Sequence, residues 1–220
     1  MVTDDPGTPG DGHFEINLGA IASHTPGHWE VAAPAADINY GWGDHAQLKL
    51  ELPWVTSRDD GQHWRSALGQ ADVGVKWRFL DPEQTGFSMS TYPQYTGGTS
   101  WMRRGTASEG HEFFLPVEAA GEVGSFEVAA EVGRNFVSAG GANQWVVGVV
   151  AGHVCGGGLV CMAEVHATQS PQAHIALLNF GARWKFDETL AVLLAAGREF
   201  GTAATARRQA LAYIGVQITH

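Results

Sequence analysis

The sequence contains no long hydrophobic run. None of its segments approaches the roughly 20 consecutive apolar residues that a transmembrane helix needs, which excludes helical membrane spans. A bilayer is not excluded, because the strands of a membrane barrel need only about 9–11 residues and alternate in polarity. The opening residues MVTDDP lack the basic start and apolar core of a signal peptide. We therefore expect that an exported protein of this sequence is a mature or truncated form.

Positive charge and cysteine are both scarce. The chain has 13 Lys and Arg residues against 23 Asp and Glu, a formal net charge of −10. Phosphate binding needs clustered Lys and Arg, so no nucleic-acid partner is expected. The two cysteines, Cys155 and Cys161, flank a Gly-Gly-Gly turn. A disulfide across that turn and two free buried thiols are both compatible with the sequence. Because no second Cys or His pair offers ligand spacing, no metal site and no cofactor are predicted.

Glycine, by contrast, is abundant. The chain has 29 glycines and only 16% charged residues, a combination that favours many short strands over helices. Alternating polarity and turn residues predict twelve strands, over residues 12–22, 28–41, 45–56, 70–80, 86–96, 110–120, 124–136, 143–154, 159–168, 173–186, 189–200 and 208–219. An even number of strands puts both chain ends on the same side of a closed sheet.

The connections between these strands alternate in length. Tight turns are predicted at 41–44, 81–86, 121–124, 155–158 and 186–189, and generally longer loops at 57–69, 97–109, 137–142, 169–172 and 201–207. Outer-membrane barrels have this arrangement. The predicted fold is all-β, an antiparallel up-and-down transmembrane β-barrel of about 12 strands, with short periplasmic turns and longer extracellular loops. Residues 12–220 form its single domain, and the Pro/Gly/Asp-rich residues 1–11 are predicted to be a disordered N-terminal arm.

The alternation separates charged from apolar side chains, and a physical argument decides which face points inward. In strand 70–80, for example, Val73 and Val75 oppose Lys76 and Arg78. A lumen enclosed by about 12 strands is too wide to be packed with apolar side chains alone. Lys or Arg in lipid costs about 2–4 kcal/mol each near the midplane. We therefore predict that the apolar side chains face lipid and that the charged ones face the lumen.

Four prolines fall inside predicted strands, namely Pro34, Pro53, Pro93 and Pro116. A proline within a strand removes a donor from the hydrogen-bond ladder, and a bulge or bend is the usual accommodation. We therefore expect the sheet to be irregular at these positions.

Several segments resemble a known family. The C-terminal YIGVQITH is similar to the closing-strand signature of outer-membrane barrels, with His220 where Phe is usual. The segments DINYGWGDHAQLKLELPWV (37–55), LGQADVGVKWRFLD (68–81), GFSMSTYPQY (86–95) and LNFGARWKF (178–186) resemble outer-membrane transporter proteins associated with the meta-cleavage pathway of phenol degradation. The resemblance implies a bacterial outer-membrane barrel and transport of small organic molecules.

The candidate functional residues are the charged side chains of the predicted inner face. They are Lys49, Glu51, Asp72, Lys76, Arg78, Glu112, Glu118, Glu127, Glu131, Glu164, His166, Arg183 and Lys185. Lining a pore, they would select polar or ionic solutes; paired with one another, they would fill a closed lumen.

Three function classes follow from these residues. The first is an outer-membrane channel or transporter for small organic solutes, aromatic or hydrophobic ones among them. The alternatives are a closed-lumen structural or receptor-like barrel and a barrel-embedded hydrolase. The hydrolase is disfavoured because its candidate residues, for instance His111, Ser88, Ser90 and Asp72, are only loosely placed in the sequence and no Gly-x-Ser-x-Gly elbow occurs. The predicted partners are outer-membrane lipid and a small-molecule solute, and the predicted state is a monomer that is not an enzyme.

Overall fold

The chain folds into one closed antiparallel β-barrel. The computed structural model describes residues 1–98, 110–138, 141–202 and 210–220. The intervening residues fall on predicted loops, except 208 and 209, which belong to the predicted strand 208–219 and lie outside the described residues. The fourteen strands are β1 (Phe14–Thr25), β2 (His28–Trp42), β3 (Ala46–Asp59), β4 (Arg65–Leu68), β5 (Ala71–Leu80), β6 (Phe87–Thr91), β7 (Gln94–Gly97), β8 (Glu112–Val123), β9 (Phe126–Val137), β10 (Gln144–Gly156), β11 (Leu159–Gln169), β12 (His174–Lys185), β13 (Leu190–Gly201) and β14 (Ala210–Thr219). Pairing of β1 with β14 closes the ring.

The fourteen strands occupy twelve positions around the ring. β4 and β5 run one after the other along β3, and β6 and β7 likewise run in succession between β5 and β8. The predicted all-β barrel of about twelve strands is therefore confirmed. One short helix, α1 (Pro82–Thr85), is described, and no helix among the described residues is long and apolar enough to cross a membrane.

Strand bounds agree with the predicted ones to within three residues, with two local differences. β4 lies in the segment predicted as a loop, 57–69, and the predicted strand 86–96 is interrupted at Tyr92-Pro93. Both breaks occur beside residues that disrupt a ladder, since Gly69 follows β4 and Pro93 precedes β7.

The four prolines coincide with irregularities of the sheet. Pro34 lies in the register shift between Ala32 and Ala35 of β2. The carbonyl of Pro53 accepts a hydrogen bond from the Gly69 N–H at the break between β4 and β5. Pro93 is part of the break between β6 and β7, and Pro116 lies opposite that break in β8. The sheet is therefore irregular beside all four prolines, through a register shift at Pro34 and through strand breaks at or opposite the other three.

The outer surface of the barrel is apolar and the inner surface is polar. Leu48, Val75 and Phe180 are 39%, 47% and 60% exposed on the outside, whereas Lys76 is only 2% exposed. A wall with this distribution is suited to lipid around it and to polar groups within it.

Aromatic side chains are concentrated near the strand ends, for example Trp42 at the end of β2 and Trp145 at the start of β10, as in the interfacial girdles of membrane barrels.

The first strand begins and the last strand ends at the same end of the barrel. Phe14 and His220 exchange backbone hydrogen bonds there, and the tight turns Gly43–His45, Gly124–Ser125 and Gly157–Gly158 are at this end too. We call it the terminal end. The loops at the opposite end are generally longer, with a two-residue exception at Pro26-Gly27. At the terminal end, Cys155 and Cys161 form a disulfide across the turn between β10 and β11, which settles the alternative that the sequence left open.

Candidate functional site

The strand register places the thirteen predicted lumen residues on the inner face. Glu51 is opposite Asp72, Glu118 is opposite Glu131, and Glu164 follows the same alternation as His166. Lys76, Glu118, Glu131 and Glu164 are buried, whereas Lys49, Glu51, Asp72, Arg78, Glu112, His166 and Arg183 are half-buried and Glu127 and Lys185 are exposed near the terminal end. Whether these side chains line an open passage stays a prediction.

Residues 1–11, the N-terminal arm, contain no strand and enter the barrel at the terminal end. Beside this entrance the Gly12 N–H donates to the Gly41 carbonyl at 3.0 Å, and the Gly43 N–H donates to Asp11 Oδ1 at 2.8 Å. The Thr8 hydroxyl donates to the carbonyl of Asp44 at 3.2 Å. The arm is thus attached to the β2–β3 turn before it continues inward. The predicted disorder of residues 1–11 stays a prediction.

Deeper inside, consecutive residues of the arm contact nearly opposite walls. The backbone N–H groups of Val2 and Thr3 donate to the carboxylate of Glu164 in β11. Asp4 Oδ1 lies 3.2 Å from Lys76 Nζ in β5. Because β5 and β11 are five positions apart in the twelve-position ring, the arm bridges the lumen at this level.

Three glycines of the inner wall make room for the arm. A Cβ atom added at Gly41 or at Gly148 would collide with Gly10 or with Thr3, and one at Gly181 would lie 2.8 Å from Met1 Sδ. Thr3 itself is 6% exposed. Larger residues at these positions would therefore force the arm to move.

A cluster of buried polar side chains surrounds the arm on the β5 side. Lys76 Nζ lies 3.3 Å from Glu118 Oε2, and the Ser90 hydroxyl donates to the same carboxylate oxygen at 2.5 Å. Lys76 also donates to the backbone carbonyl of Asp5. Tyr92 is fully buried beside it, with the ring centroid 4.9 Å from Lys76 Nζ. The cluster therefore presents one lysine, one tyrosine ring and one carboxylate to the arm.

Several other predicted lumen residues form ion pairs or hydrogen bonds within the wall. Lys49 Nζ is 3.7 Å from Glu51, and Arg78 Nε is 2.8 Å from Asp81. Asp72 accepts from the Thr96 hydroxyl and Glu112 accepts from Asn135 at 2.5 Å. Arg183 Nε has no hydrogen-bond partner among the described residues. Such pairing moderates the high cost of placing ionised groups in a protein interior.

The residues considered for a hydrolase do not assemble in the described ranges. Ser90 donates to Glu118 and Ser88 donates to the carbonyl of Ala120, whereas His111 stacks against Tyr95. Neither serine contacts a histidine there, and nucleophilic catalysis requires that contact. Among the same residues no three His, Cys, Asp or Glu side chains are grouped to hold a metal ion. The absence of enzymatic activity and of a cofactor stays a prediction.

Sequence patterns did not identify the arm contacts, Tyr92 or Gly148 as parts of the site. Their partners are far away in the chain: 162 residues separate Val2 from Glu164, and 71 separate Asp5 from Lys76. The one local signal was the dipeptide Tyr92-Pro93 inside a predicted strand, since proline marks a break there.

Comparisons with known proteins agree with this architecture. No protein-family model and no curated protein matches the sequence. Among solved structures, the COG4313 outer membrane channel from Pseudomonas putida F1 is similar with a TM-score of 0.75 at 10% identity, over 100% of this chain and 99% of that one. The KdgM porin has a TM-score of 0.63 at 10% identity, over 92% and 98% of the two chains. The CymD monoaromatic hydrocarbon channel has a TM-score of 0.54 at 11% identity, over 96% and 89%.

These likenesses establish the fold, an antiparallel barrel of the outer-membrane type. At such low identity they do not establish the substrate. The resemblance to transporter proteins of phenol degradation therefore stays a prediction.

Proposed function

We propose that the protein is a channel of the bacterial outer membrane for small organic solutes, and that its N-terminal arm occupies the passage in the described state. The observation that carries the proposal is the bridge made by Thr3 and Asp4 to Glu164 and Lys76 across the polar lumen. A solute can pass this level only when the arm is displaced. The proposed orientation in the membrane places the terminal end on the periplasmic side, where outer-membrane barrels have their short turns.

The outer surface supports a membrane location. Side chains such as Val149, Val165 and Leu194 are between 44% and 56% exposed there, and exposed apolar area of this extent is unfavourable in water. The lipid bilayer is thus the proposed surrounding, with the protein acting as a monomer.

The solute class is proposed from two directions. The first is the inner wall, which combines charged groups with the aromatic ring of Tyr92. The second is the likeness to a monoaromatic hydrocarbon channel and to a porin, together with the resemblance of the sequence to transporters of phenol degradation. We expect small aromatic molecules to be better solutes than sugars of the same size.

A closed-lumen structural barrel is the second candidate. The observation that favours it is the extent of pairing in the wall, where Lys49, Arg78 and Glu112 all have partners. After removal of the arm, a channel lets solute through the membrane, whereas a closed barrel does not.

Solute flux into liposomes tests the proposal. Vesicles containing the full chain, a variant lacking residues 2–11, or no protein are mixed with a phenol-sized aromatic solute that does not cross the bilayer by itself, such as benzenesulfonate, or with a sugar of similar size. The proposal predicts faster swelling with the deletion variant than with the full chain, and more for the aromatic solute. A folded deletion variant that is as impermeable as empty vesicles would contradict the channel and support the closed barrel.

A further inference from the structure

Tyr92 is a buried aromatic residue with an unused hydrogen-bond donor. It is 0% exposed, and its ring packs on the backbone of Gly74, where an added Cβ would lie 2.7 Å from Tyr92 Cε2. Its hydroxyl has no hydrogen-bond partner in the part of the chain that the structure describes. Buried tyrosine hydroxyl groups normally have a partner. The Tyr92 O–H is therefore available to an acceptor that enters the lumen.

Two lysines flank the same ring but have different partners. Lys49 Nζ lies 5.6 Å from the ring centroid and pairs with Asp37 and Glu51, both residues of the wall. Lys76 Nζ lies 4.9 Å from the centroid and pairs with Glu118 of the wall. The remaining acceptors of Lys76, described above, belong to the arm. They are one side-chain carboxylate and one backbone carbonyl, so Lys76 loses both when the arm leaves.

We infer that Lys76 and Tyr92 form a binding site for a small organic carboxylate, and that Asp4 of the arm occupies in this site the place of the solute's carboxylate. The inference rests on the proposed channel function and names the solute class of that channel. A carboxylate bound to Lys76 would form a charge-assisted hydrogen bond with it. Unlike the Asp4 side chain, a free solute is not held by a backbone and can also turn an oxygen toward the unused Tyr92 O–H. A planar aromatic group attached to it would stack on the tyrosine ring.

Because the solute's carboxylate competes with Asp4 for Lys76, solute binding favours opening of the passage. A carboxylate that binds Lys76 only after the arm has left stabilises the arm-free state by mass action. Neutral aromatic molecules lack the charge that replaces Asp4. Aromatic cations are the opposite case, since they would favour Glu118, Glu131 and Glu164 over Lys76. The charge of the preferred aromatic solute therefore discriminates between the lysine site and the acidic remainder of the wall.

Single-channel recording with three aromatic probes tests the inference on the full chain. The probes are benzoate, benzyl alcohol and benzylammonium. Benzoate is expected to raise the open probability of the unmodified protein and to cause brief blockades of the open channel, whereas the other two do neither. Blockades by benzylammonium without blockades by benzoate would overturn the inference.

Two variants separate the arm contact from the solute contact. Asp4→Asn releases the arm from Lys76 and is expected to raise the open probability about tenfold, while the benzoate blockades persist. A Lys76→Gln, Glu118→Gln double variant, which removes both charges of this wall pair together, should open as readily and lose the blockades. Arg134→Gln removes a positive charge beside Trp145, on the outer face, and serves as the control that retains them.

A third variant tests the contribution of the tyrosine ring, and it still tests the site if the double variant does not fold. Tyr92→Leu keeps both lysines, and it should shorten benzoate blockades to the duration of acetate blockades. Equal benzoate blockades in all variants would overturn the carboxylate site while leaving the channel intact. Absence of conductance from every variant, Asp4→Asn and a chain without residues 2–11 included, would instead contradict the proposed channel function.

Discussion

Gly148 of β10 lies directly against Thr3 of the arm, and a Cβ at Gly148 would occupy the space of the Thr3 side chain. The two residues are 145 positions apart in the chain. A wall glycine at the point of closest approach indicates that the inner surface is shaped for the arm as well as for solute. This relationship can be disturbed without altering the barrel ladder, because alanine accepts the extended backbone of a strand.

Replacement of Gly148 by alanine is therefore expected to displace the arm and raise the open probability of single channels. Gly152 in the same strand and on the same face supplies the control, since a Cβ there would meet its nearest neighbours, Val160 and Met162, at ordinary distances of 3.5 and 3.6 Å. Gly152→Ala should behave as the unmodified protein does. Equal open probabilities for Gly148→Ala and Gly152→Ala would contradict the closing role of the arm.

The orientation of the wall can be tested at two adjacent positions of β11. Val165 is 56% exposed on the outer surface, and His166 points inward. Val165→Lys should lower the free energy of unfolding by about 2–4 kcal/mol if the residue lies near the membrane midplane, whereas His166→Lys should change it little. Urea titration in phospholipid vesicles measures both. A larger loss for His166→Lys would mean that the faces are assigned the wrong way round.

The turn between β12 and β13 makes a pH-dependent contribution to stability. Asp187 Oδ1 accepts hydrogen bonds from the N–H groups of Thr189 and Leu190, both at 2.8 Å, and the backbone and hydroxyl bonds from Thr189 are the main reason that the pKa of Asp187 is lowered. A lowered folded-state pKa stabilises the protein above the unfolded value, about 4, and the contribution is lost as the pH falls through the folded pKa.

Asp187→Ala should accordingly unfold at a lower urea concentration than the unmodified protein at pH 7, and the gap should shrink at pH 3. Glu188→Ala in the same turn is the matched control, since removing that side chain keeps the Asp187 bonds. A gap that is independent of pH would contradict this explanation.

The disulfide should contribute to stability and leave the passage unaffected. Cys155 and Cys161 are separated by six positions, and closing so short a loop stabilises a fold by about 2 kcal/mol in the chain-entropy account. A Cys155→Ala, Cys161→Ala variant should lose its heat-resistant mobility on gels at a lower temperature and conduct normally. Changed conductance in the folded variant would show that the terminal-end turn affects the lumen.

The barrel could be predicted from local patterns, because a strand in lipid repeats its polarity every two residues. Strand 70–80 is an example, where Val75 faces outward and Lys76 inward as the alternation indicates. An even strand count also predicts that the start of the first strand and the end of the last strand lie on the same side of the closed sheet. These features depend on neighbours in sequence or on adjacent strands, so they can be predicted from a single amino-acid sequence.

The arm and the Tyr92 site could not be predicted in the same way. Residues 1–11 have no periodicity, and their Pro/Gly/Asp composition is also that of a solvated tail. Their contacts with Glu164 and Lys76 arise from closure of the ring, which brings distant strands around a common axis. The break at Tyr92-Pro93 was visible only as a proline in a strand, with no indication that the ring beside it would enter the lumen.

The closing role of the arm is tested most directly by the conductance of single barrels in planar bilayers, compared between the full chain and a variant lacking residues 2–11. We expect the full chain to be mostly closed, with rare openings, and the variant to be steadily open. Both proteins should retain the mobility shift of a folded barrel on unheated gels. A folded variant without conductance, or a full chain as open as the variant, would contradict the claim that the arm fills a passage through the membrane.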